Sequence, residues 1–384
     1  MKYFNITGTC VPEKHYMVDI DERLGIIKAM VDRGDYFCIN RSLQYGKTTT
    51  LKAATRLLMP DYSVFQISFE GQGDEAFRSP ENVAACFFSL LNRKLKFDHS
   101  LVVSEGARSI INELNGRESI HLNAFSDAVN ELCSTNDRPI VIIIDEVDQA
   151  GNFDGFAKFL GCLREMYLER ENVPTFQSVI LAGVYDVKNL KRSPSTPKEL
   201  QHNSPWNIAA PFEVDMSLSE NGIKKMLDEY EADHSTGMDT SVVARMLRSY
   251  TSGYPYLVSR LCMLLDKSGD WSQAGFLEVV RVLLNERNSL FDDMVKRLEQ
   301  YPEIKNLLER ILCHGFSISF NIDNRYIEFA HMFGIVRDRK GFVTVSNRIF
   351  ETRLFNYFTS EQETQEVLES QATNSNRKIK TIES

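Results

Sequence analysis

The sequence contains no long hydrophobic run. None of its stretches reaches about 18 consecutive apolar residues, and the amino-terminal segment lacks the apolar core of a signal peptide. Of the 384 residues, 43% are hydrophobic and 25% are charged, an ordinary globular composition with room for roughly two or three domains. We therefore expect a cytoplasmic protein that has no membrane partner.

The sequence also lacks the arrangements of cysteine, histidine and basic residues that indicate metal sites, hydrolase sites or nucleic acid binding. The seven cysteines include no C-x-x-C pair, so neither a disulfide framework nor a zinc site is predicted. The formal charge of −9 does not favour non-specific adhesion to nucleic acid. There is no G-x-S-x-G elbow, and we expect each of the seven dispersed histidines to be a surface or capping residue.

Short apolar runs alternate with helical patterns along the first half of the chain. This alternation predicts an α/β fold with a parallel sheet and crossover helices. The run Ile140–Ile144 has five consecutive β-branched residues, as expected of a central strand buried on both faces. The five predicted strands are Tyr36–Asn40, Val64–Phe69, Pro139–Val147, Ser178–Val184 and Phe212–Leu218.

A glycine, lysine and threonine stand between the first predicted strand and a predicted helix. They match the end of the phosphate-binding pattern G-x-x-x-x-G-K-[ST], although Arg41 occupies the position of its first glycine. We predict that backbone N–H groups surround the phosphates of ATP, that Lys47 bridges the β- and γ-phosphates, and that Thr48 binds Mg²⁺. The simpler alternative is a well-capped helix start. The predicted ATP-binding residues are Gln44, Tyr45, Gly46, Lys47, Thr48 and Thr49.

Two acidic residues end the most hydrophobic of the predicted strands. Asp145 is predicted to share the magnesium ion with Thr48, and Glu146 to act as the general base that activates water, with Lys47 as its catalytic partner. An acidic turn that only solubilises the strand end is the alternative. The upstream G-K-T sequence favours the catalytic interpretation.

Several segments together resemble a known family. GKTT, IIIDEVD, VILAGVYDVKNLKR, SPWNIAAPFEVDMSLS and TSGYPYLVSRLC resemble the AAA-like P-loop ATPases of the archaeal-ATPase and STAND type, and the chain is similar to a bacterial group with a carboxyl-terminal winged helix. The resemblance covers about residues 16–360. It implies a P-loop NTPase fold whose parallel sheet has an additional strand, followed by a helical lid and a winged helix, with ATP and Mg²⁺ as cofactors.

The resemblance also implies further nucleotide contacts. A polar sensor is expected after the fourth strand, where Tyr185 or Asp186 stands, and Pro255 is expected to pack on the base. Pro255 alternatively marks only the first turn of a helix. Arg192, in a long polar connection with Lys188 and Lys191, is a candidate arginine finger, the alternative being a solvated basic cluster.

The domain limits follow from composition and helical pattern. We predict an ATPase core over residues 1–218, a lid over 219–270, a winged helix over 271–360 and a polar tail over 361–384, disordered beyond about Glu369. Residues 271–360 carry twelve basic and eleven acidic residues, too even a balance for a clear DNA-binding face. For the predicted winged helix, an intramolecular or protein-binding role is favoured. Weak contact with DNA phosphates through Arg337, Arg339 and Lys340 is the alternative.

The sequence thus supports two hypotheses about function. The first is a slow ATPase that acts as a nucleotide-dependent switch and controls homo-oligomer assembly or a protein partner. The alternative is a scaffold that binds nucleotide without hydrolysis and carries a DNA-associated winged helix.

Overall fold

The computed structural model describes residues 1–184 and 206–382, with side chains described outside that gap up to residue 369. Two compact units are present. One contains Thr7–Met216, and the other combines Met1–Ile6 with Ser217–Ser384. No helix among the described residues has both the length and the apolar character needed to cross a membrane.

A four-stranded parallel sheet forms the centre of the Thr7–Met216 unit. Its strands lie in the order β1, β4, β3, β2, so β4 is inserted between β1 and β3. This is the additional strand that the sequence predicts. Every residue of β3 is buried, in agreement with its run of β-branched side chains. The strands are β1 Phe37–Asn40, β2 Ser63–Ser68, β3 Ile140–Asp145 and β4 Ser178–Gly183.

Helices cover both faces of this sheet, because alternate side chains of β3 enter two different apolar clusters. Ile142 packs in the cluster that includes α3, α5 and α6, whereas Ile143 packs in the cluster that includes α1 and α2. The fold is that of a P-loop NTPase, with a core on each side of the sheet. The helices of this unit are α1 Asp21–Asp32, α2 Lys47–Leu58, α3 Pro80–Phe97, α4 Glu105–Leu114, α5 Leu122–Thr135 and α6 Asp154–Leu168.

The fifth predicted strand, Phe212–Leu218, is wrong. The chain forms a single bridge beside β1, where the Ala210 N–H donates to the Tyr36 carbonyl at 2.8 Å. Beyond it, the Val214 carbonyl accepts from the Arg41 guanidinium instead of from a neighbouring strand. A side chain therefore replaces the backbone partner that a continuing ladder would need.

From Ser217 onward, the second unit starts with four helices. They are α7 Glu220–His234, α8 Thr240–Thr251, α9 Pro255–Ser268 and α10 Gln273–Asn285. The turn before α9 depends on Gly253, whose φ is +75° and whose missing Cβ would lie 2.2 Å from the Leu218 carbonyl oxygen. Only glycine fits this close approach.

The rest of the second unit contains three helices, a two-stranded β-hairpin and a long final helix. Before α13, the chain forms one isolated antiparallel bridge between Ser319 and Phe342. Phe329 of α13 stacks on Tyr301 with ring centres 5.8 Å apart, so this helix uses its aromatic face for packing. The elements are α11 Ser289–Gln300, α12 Pro302–His314, α13 Arg325–Met332, β5 Val336–Arg339, β6 Phe342–Val345 and α14 Arg348–Ile382.

Two local expectations differ from the structure. Helix α14 continues to Ile382, in place of the disorder expected beyond Glu369, because the glutamate, glutamine, alanine and lysine of this segment favour helix even without an apolar face. His15 is buried instead of exposed, and its Nδ1 accepts the Val11 N–H at 2.7 Å. All seven cysteines are free thiols, of which Cys38, Cys162 and Cys262 are buried and the other four are partly exposed.

Candidate nucleotide-binding site

The loop between β1 and α2 has the backbone shape of an anion-binding nest. Gln44 and Gly46 both have left-handed backbones, with φ of 56° and 80°. They flank Tyr45, and Gly46 immediately precedes Lys47, the first residue of α2. Left-handed residues before a helix start let successive N–H groups converge, and the helix adds its own positive end. The loop can therefore receive a phosphate group.

Lys47 lies folded against its own loop. Its side chain is buried, and Nζ donates to the carbonyl oxygens of Arg41 at 2.8 Å and Ser42 at 3.3 Å. Burial lowers the pKa of Lys47, and the neighbouring carboxylates, Glu146 foremost, oppose this change. A buried ammonium held by neutral carbonyls is available to a stronger acceptor such as phosphate.

Asp145 joins the end of β3 to the start of α2. Its Oδ2 accepts from Thr48 Oγ1 at 3.0 Å, and its Oδ1 accepts the Glu146 N–H at 3.0 Å. Burial raises the pKa of Asp145, against the lowering effect of the Thr48 hydrogen bond. The two residues predicted to share a magnesium ion are therefore in direct contact.

Glu146 turns the chain sharply after β3. Its φ of 55° is left-handed, which is uncommon for a residue other than glycine and costs conformational energy. Burial raises the pKa of Glu146, Lys47 lowers it, and Asp145 raises it further. The pKa of this carboxyl group is therefore higher than the ordinary value of glutamate.

Arg41, at the position of the missing glycine, connects the loop to neighbouring backbone carbonyls. Its guanidinium donates to the carbonyls of Asn40 at 2.7 Å and Val214 at 2.5 Å, and lies 5.9 Å from the centre of the Phe212 ring. Burial lowers its pKa, with Tyr45 and Asp215 opposing. The substitution thus adds a tether between the loop and residues 212–214.

Asp148 contacts the end of β4, a position that the sequence did not predict for it. Its Oδ2 accepts the Val184 N–H at 2.5 Å, and its Oδ1 lies 2.8 Å from the place where a Cβ of Gly183 would be. The carboxylate therefore fixes the backbone where β4 ends. The signal was present, since Asp148 stands three residues after Asp145 in the IIIDEVD segment.

Arg23 also makes a contact that the sequence did not predict. It comes from α1, and its Nη1 donates to the Thr50 hydroxyl at 3.3 Å in the first turns of α2. Burial lowers the pKa of Arg23, while Asp215 opposes this most strongly. No motif marks it, because its contact depends on how α1 packs against α2.

The remaining predicted residues are not all brought together. The Thr49 hydroxyl accepts the Cys10 N–H at 3.2 Å and so holds the amino-terminal segment. Pro255 is the first residue of α9, in the other unit. Tyr185, Asp186 and Arg192, like Lys188 and Lys191, lie outside the described residues.

No group of three or more His, Cys, Asp or Glu side chains within the described ranges is arranged to hold a metal ion alone. Mg²⁺ commonly takes one or two protein oxygens and completes its octahedron with phosphates and waters. Thr48 and Asp145 supply a donor set of this size.

The sequence over residues 14–359 matches the family described as AAA-like domain. The chain belongs to this AAA-like family. A search of curated proteins found no match. Among solved structures, the AAA-like chain is similar to a Walker-type ATPase of Pyrococcus abyssi, PABY2304, with 12% identity, a TM-score of 0.61, and coverage of 91% of this chain and 99% of the other.

The ORC2 protein of Aeropyrum pernix, in its ADPNP and ADP complexes, is also similar in structure. It has 13% identity and a TM-score of 0.51, with coverage of 90% of the AAA-like chain and 93% of ORC2. At these identities the likeness concerns the fold. Both matches extend over nearly the whole chain and so include the helical unit that follows the sheet.

Proposed function

We propose that this AAA-like protein binds ATP with Mg²⁺ and hydrolyses it slowly. The observation that carries this proposal is the 3.0 Å hydrogen bond between Thr48 and Asp145, formed beside the buried ammonium of Lys47. A hydroxyl, a carboxylate and a lysine meet at a loop that can bind phosphate. This combination serves phosphoryl transfer, in which catalysis consists mainly of positioning and charge neutralisation.

Each residue has a defined part in this reaction. The backbone N–H groups between Gln44 and Thr48 bind phosphate oxygens, and Lys47 moves from the loop carbonyls to the β- and γ-phosphates. Thr48 and Asp145 would hold Mg²⁺, which when bound neutralises charge on the phosphates. Glu146 accepts a proton from the attacking water.

The charges of the site fit a nucleotide with a divalent cation. Burial raises the pKa values of both Asp145 and Glu146, so two carboxyl groups carry an electrostatic cost when they ionise side by side. A cation at Asp145 would reduce that cost. Phosphate would in turn give Lys47 a charged acceptor in place of two backbone carbonyls.

We further propose that nucleotide occupancy acts as a switch that controls homo-oligomer assembly or a protein partner. The tether from Arg41 to Val214 supports this role, because it couples the loop to chain that leads out of the ATPase unit at Met216. Pro255 as a base contact, Tyr185 as a sensor and Arg192 as an arginine finger belong to the same proposal.

ATP binding and steady-state hydrolysis by four proteins test the function. Glu146→Gln should bind ATP but lose about 10²–10⁴-fold in turnover, as expected for a general base. Lys47→Ala should lose both binding and turnover. Lys52→Ala, at an exposed position of the same helix, is the matched control and should behave as wild type.

The outcomes separate the two hypotheses. Tight ATP binding by wild type and Glu146→Gln, with no turnover by any of the proteins, would favour the non-hydrolysing scaffold. Absence of ATP binding to wild type would contradict both. For the DNA-associated alternative, Arg337, Arg339 and Lys340 on the β5–β6 hairpin are the candidate contacts, and gel shifts at two salt concentrations would reveal them, because phosphate contacts weaken as salt rises.

A further inference from the structure

A cavity of about 770 Å³ lies inside the Ser217–Ser384 unit, between the end of α8, α12, the β5–β6 hairpin and the start of α14. Its wall carries an excess of positive charge, since arginine side chains outnumber carboxylates by four to two. The arginines are Arg248, Arg337, Arg339 and Arg348, and the carboxylates are Asp338 and Glu351. We call this space the arginine cavity.

Two of these arginines lack a carboxylate partner in the described part of the chain. Arg339 and Arg348 are both exposed, and neither is in an ion pair with any described residue. The guanidinium of Arg348 lies 4.2 Å from the centre of the Tyr250 ring, and this cation–π contact limits where the side chain can go. The cavity thus has uncompensated positive charge on a side chain whose position is restrained.

Arg248, near the end of α8, is fixed by hydrogen bonds. Its Nη1 donates to Ser217 Oγ and to the Leu218 carbonyl, both at 3.1 Å, and also to the Ser252 carbonyl. Nε and Nη2 have no acceptor among the described residues. A guanidinium held by one nitrogen can offer its other N–H groups to a ligand without losing its position.

We propose that the arginine cavity binds a small ligand that carries a phosphate group. Arginine forks match phosphate oxygens in a bidentate manner, and several of them around one space form an oxyanion site. The volume lies in the range of about 300–1,000 Å³ that is usual for small-molecule sites. Asp338 and Glu351 give such a ligand acceptors for hydroxyl or amino groups, which a nucleotide or a sugar phosphate possesses.

The same features disfavour a nucleic acid duplex as the occupant. Duplex-binding surfaces carry a clear excess of basic residues, whereas carboxylates are two of the six charged side chains around this cavity. Asp338 and Glu351 on its wall would repel a continuous row of phosphates. A discrete phosphate group can instead be placed among the arginines while the carboxylates contact the uncharged part of the ligand.

This proposal does not depend on the P-loop site, and its test keeps the two sites apart. The full-length chain is prepared in a Lys47→Ala background, where nucleotide binding at the loop is removed. Pyrophosphate and ADP are titrated separately by calorimetry, so that free phosphate and nucleotide are distinguished as the source of the group. Arg339→Gln with Arg348→Gln is the test variant, and Arg281→Gln, an exposed arginine of α10 away from the cavity, is the matched control.

In the Lys47→Ala background we expect pyrophosphate, ADP or both to bind, with affinity at least tenfold weaker in the double variant and unchanged in Arg281→Gln. Circular dichroism melting checks that the variants are folded. Failure of both probes to bind would overturn the proposal, as would equal affinity in the double variant. Binding of a short DNA duplex that the double variant loses and pyrophosphate does not compete would also overturn it, in favour of a nucleic acid surface. Loss of ATPase activity in the parent Lys47→Ala protein bears only on the P-loop site.

Discussion

Thr48 and Asp145 are joined by a 3.0 Å hydrogen bond, although 97 positions separate them in the sequence. The bond closes the gap between the first turn of α2 and the end of β3. In a parallel sheet with β4 between β1 and β3, this is the place where the loop after β1 and the last residue of β3 meet.

The Thr48 hydroxyl should be required for magnesium, whereas the Thr49 hydroxyl should not. Thr48→Val removes the oxygen that contacts Asp145 and should lower Mg²⁺-dependent turnover by about 10²-fold, since a metal ligand is lost. Thr49→Val removes only the acceptor of the Cys10 N–H and should cost about 1 kcal/mol of stability. Magnesium titrations of ATPase activity check the first, and thermal melts the second. Equal magnesium dependence in the two variants would contradict the assignment.

Asp145→Asn should stabilise the nucleotide-free protein while it removes activity. Burial raises the pKa of Asp145, so its ionised form at neutral pH opposes folding, and the neutral amide removes that cost. The asparagine oxygen can still accept the Glu146 N–H. We expect a higher melting temperature without nucleotide, and no further rise with Mg²⁺ and ATP. A lower melting temperature would show that the carboxylate is structural.

As the pH is lowered, the rate of ATP hydrolysis should begin to fall at a pH above the ordinary pKa of glutamate. Burial raises the pKa of Glu146 from 4.5, and a general base works only when it is deprotonated. Turnover should therefore fall as the pH drops through this raised pKa. The stability linkage has the opposite sign, because a raised carboxyl pKa favours folding below the unfolded value and loses that contribution as the pH rises. The pH profiles of kcat for wild type and Glu146→Gln measure the effect. If both proteins lose activity at the same low pH, a group other than Glu146 is responsible.

Asp148→Ala should destabilise the core by about 1–3 kcal/mol, because the Val184 N–H loses its acceptor. Asp148→Asn retains an oxygen acceptor and should cost less. Gly183→Ala should be damaging for a related reason, since the added Cβ would lie 2.8 Å from the Asp148 carboxylate. Urea denaturation of the three variants gives the order. An alanine variant as stable as the asparagine variant would remove the proposed role of this carboxylate.

Arg41→Gly restores the missing glycine of the motif and should still weaken the protein. It removes two hydrogen bonds and the contact with Phe212, which together are worth about 1–3 kcal/mol. ATP affinity should change by less than about tenfold, because the backbone carbonyl that Lys47 contacts remains. Urea denaturation and ATP titration of Arg41→Gly and Arg41→Lys measure both. Unchanged stability in Arg41→Gly would exclude the tether.

The sequence alone predicts those parts of the fold that depend on local pattern. The β-branched run of β3 and the helix after Gly46 are recognisable without tertiary information. The strand at Phe212–Leu218 was wrong for a reason no local pattern contains. Its backbone acceptor at Val214 is bound by a side chain 173 residues earlier in the chain.

The candidate site divides in the same way. Lys47, Thr48, Asp145 and Glu146 belong to motifs whose spacing carries chemistry, so their grouping could be expected. Two further features could not be expected from the sequence. One is the left-handed backbone of Glu146, which no residue type but glycine favours. The other is the contact of Arg23 with Thr50, which depends on how two helices pack. Asp148 falls between the two cases, because its place in the sequence is suggestive and its partner at Val184 is not.

The arginine that replaces the first glycine of the motif also has a mechanical meaning. Most residues of a phosphate-binding loop are anchored to the strand and helix on either side, but Arg41 is anchored as well to Val214, two residues before the chain leaves its first unit. A displacement of the loop would therefore also move Val214 through this hydrogen bond. The departure from the motif at Arg41 thus connects two parts of the same unit, the loop after β1 and residue 214, by one direct hydrogen bond.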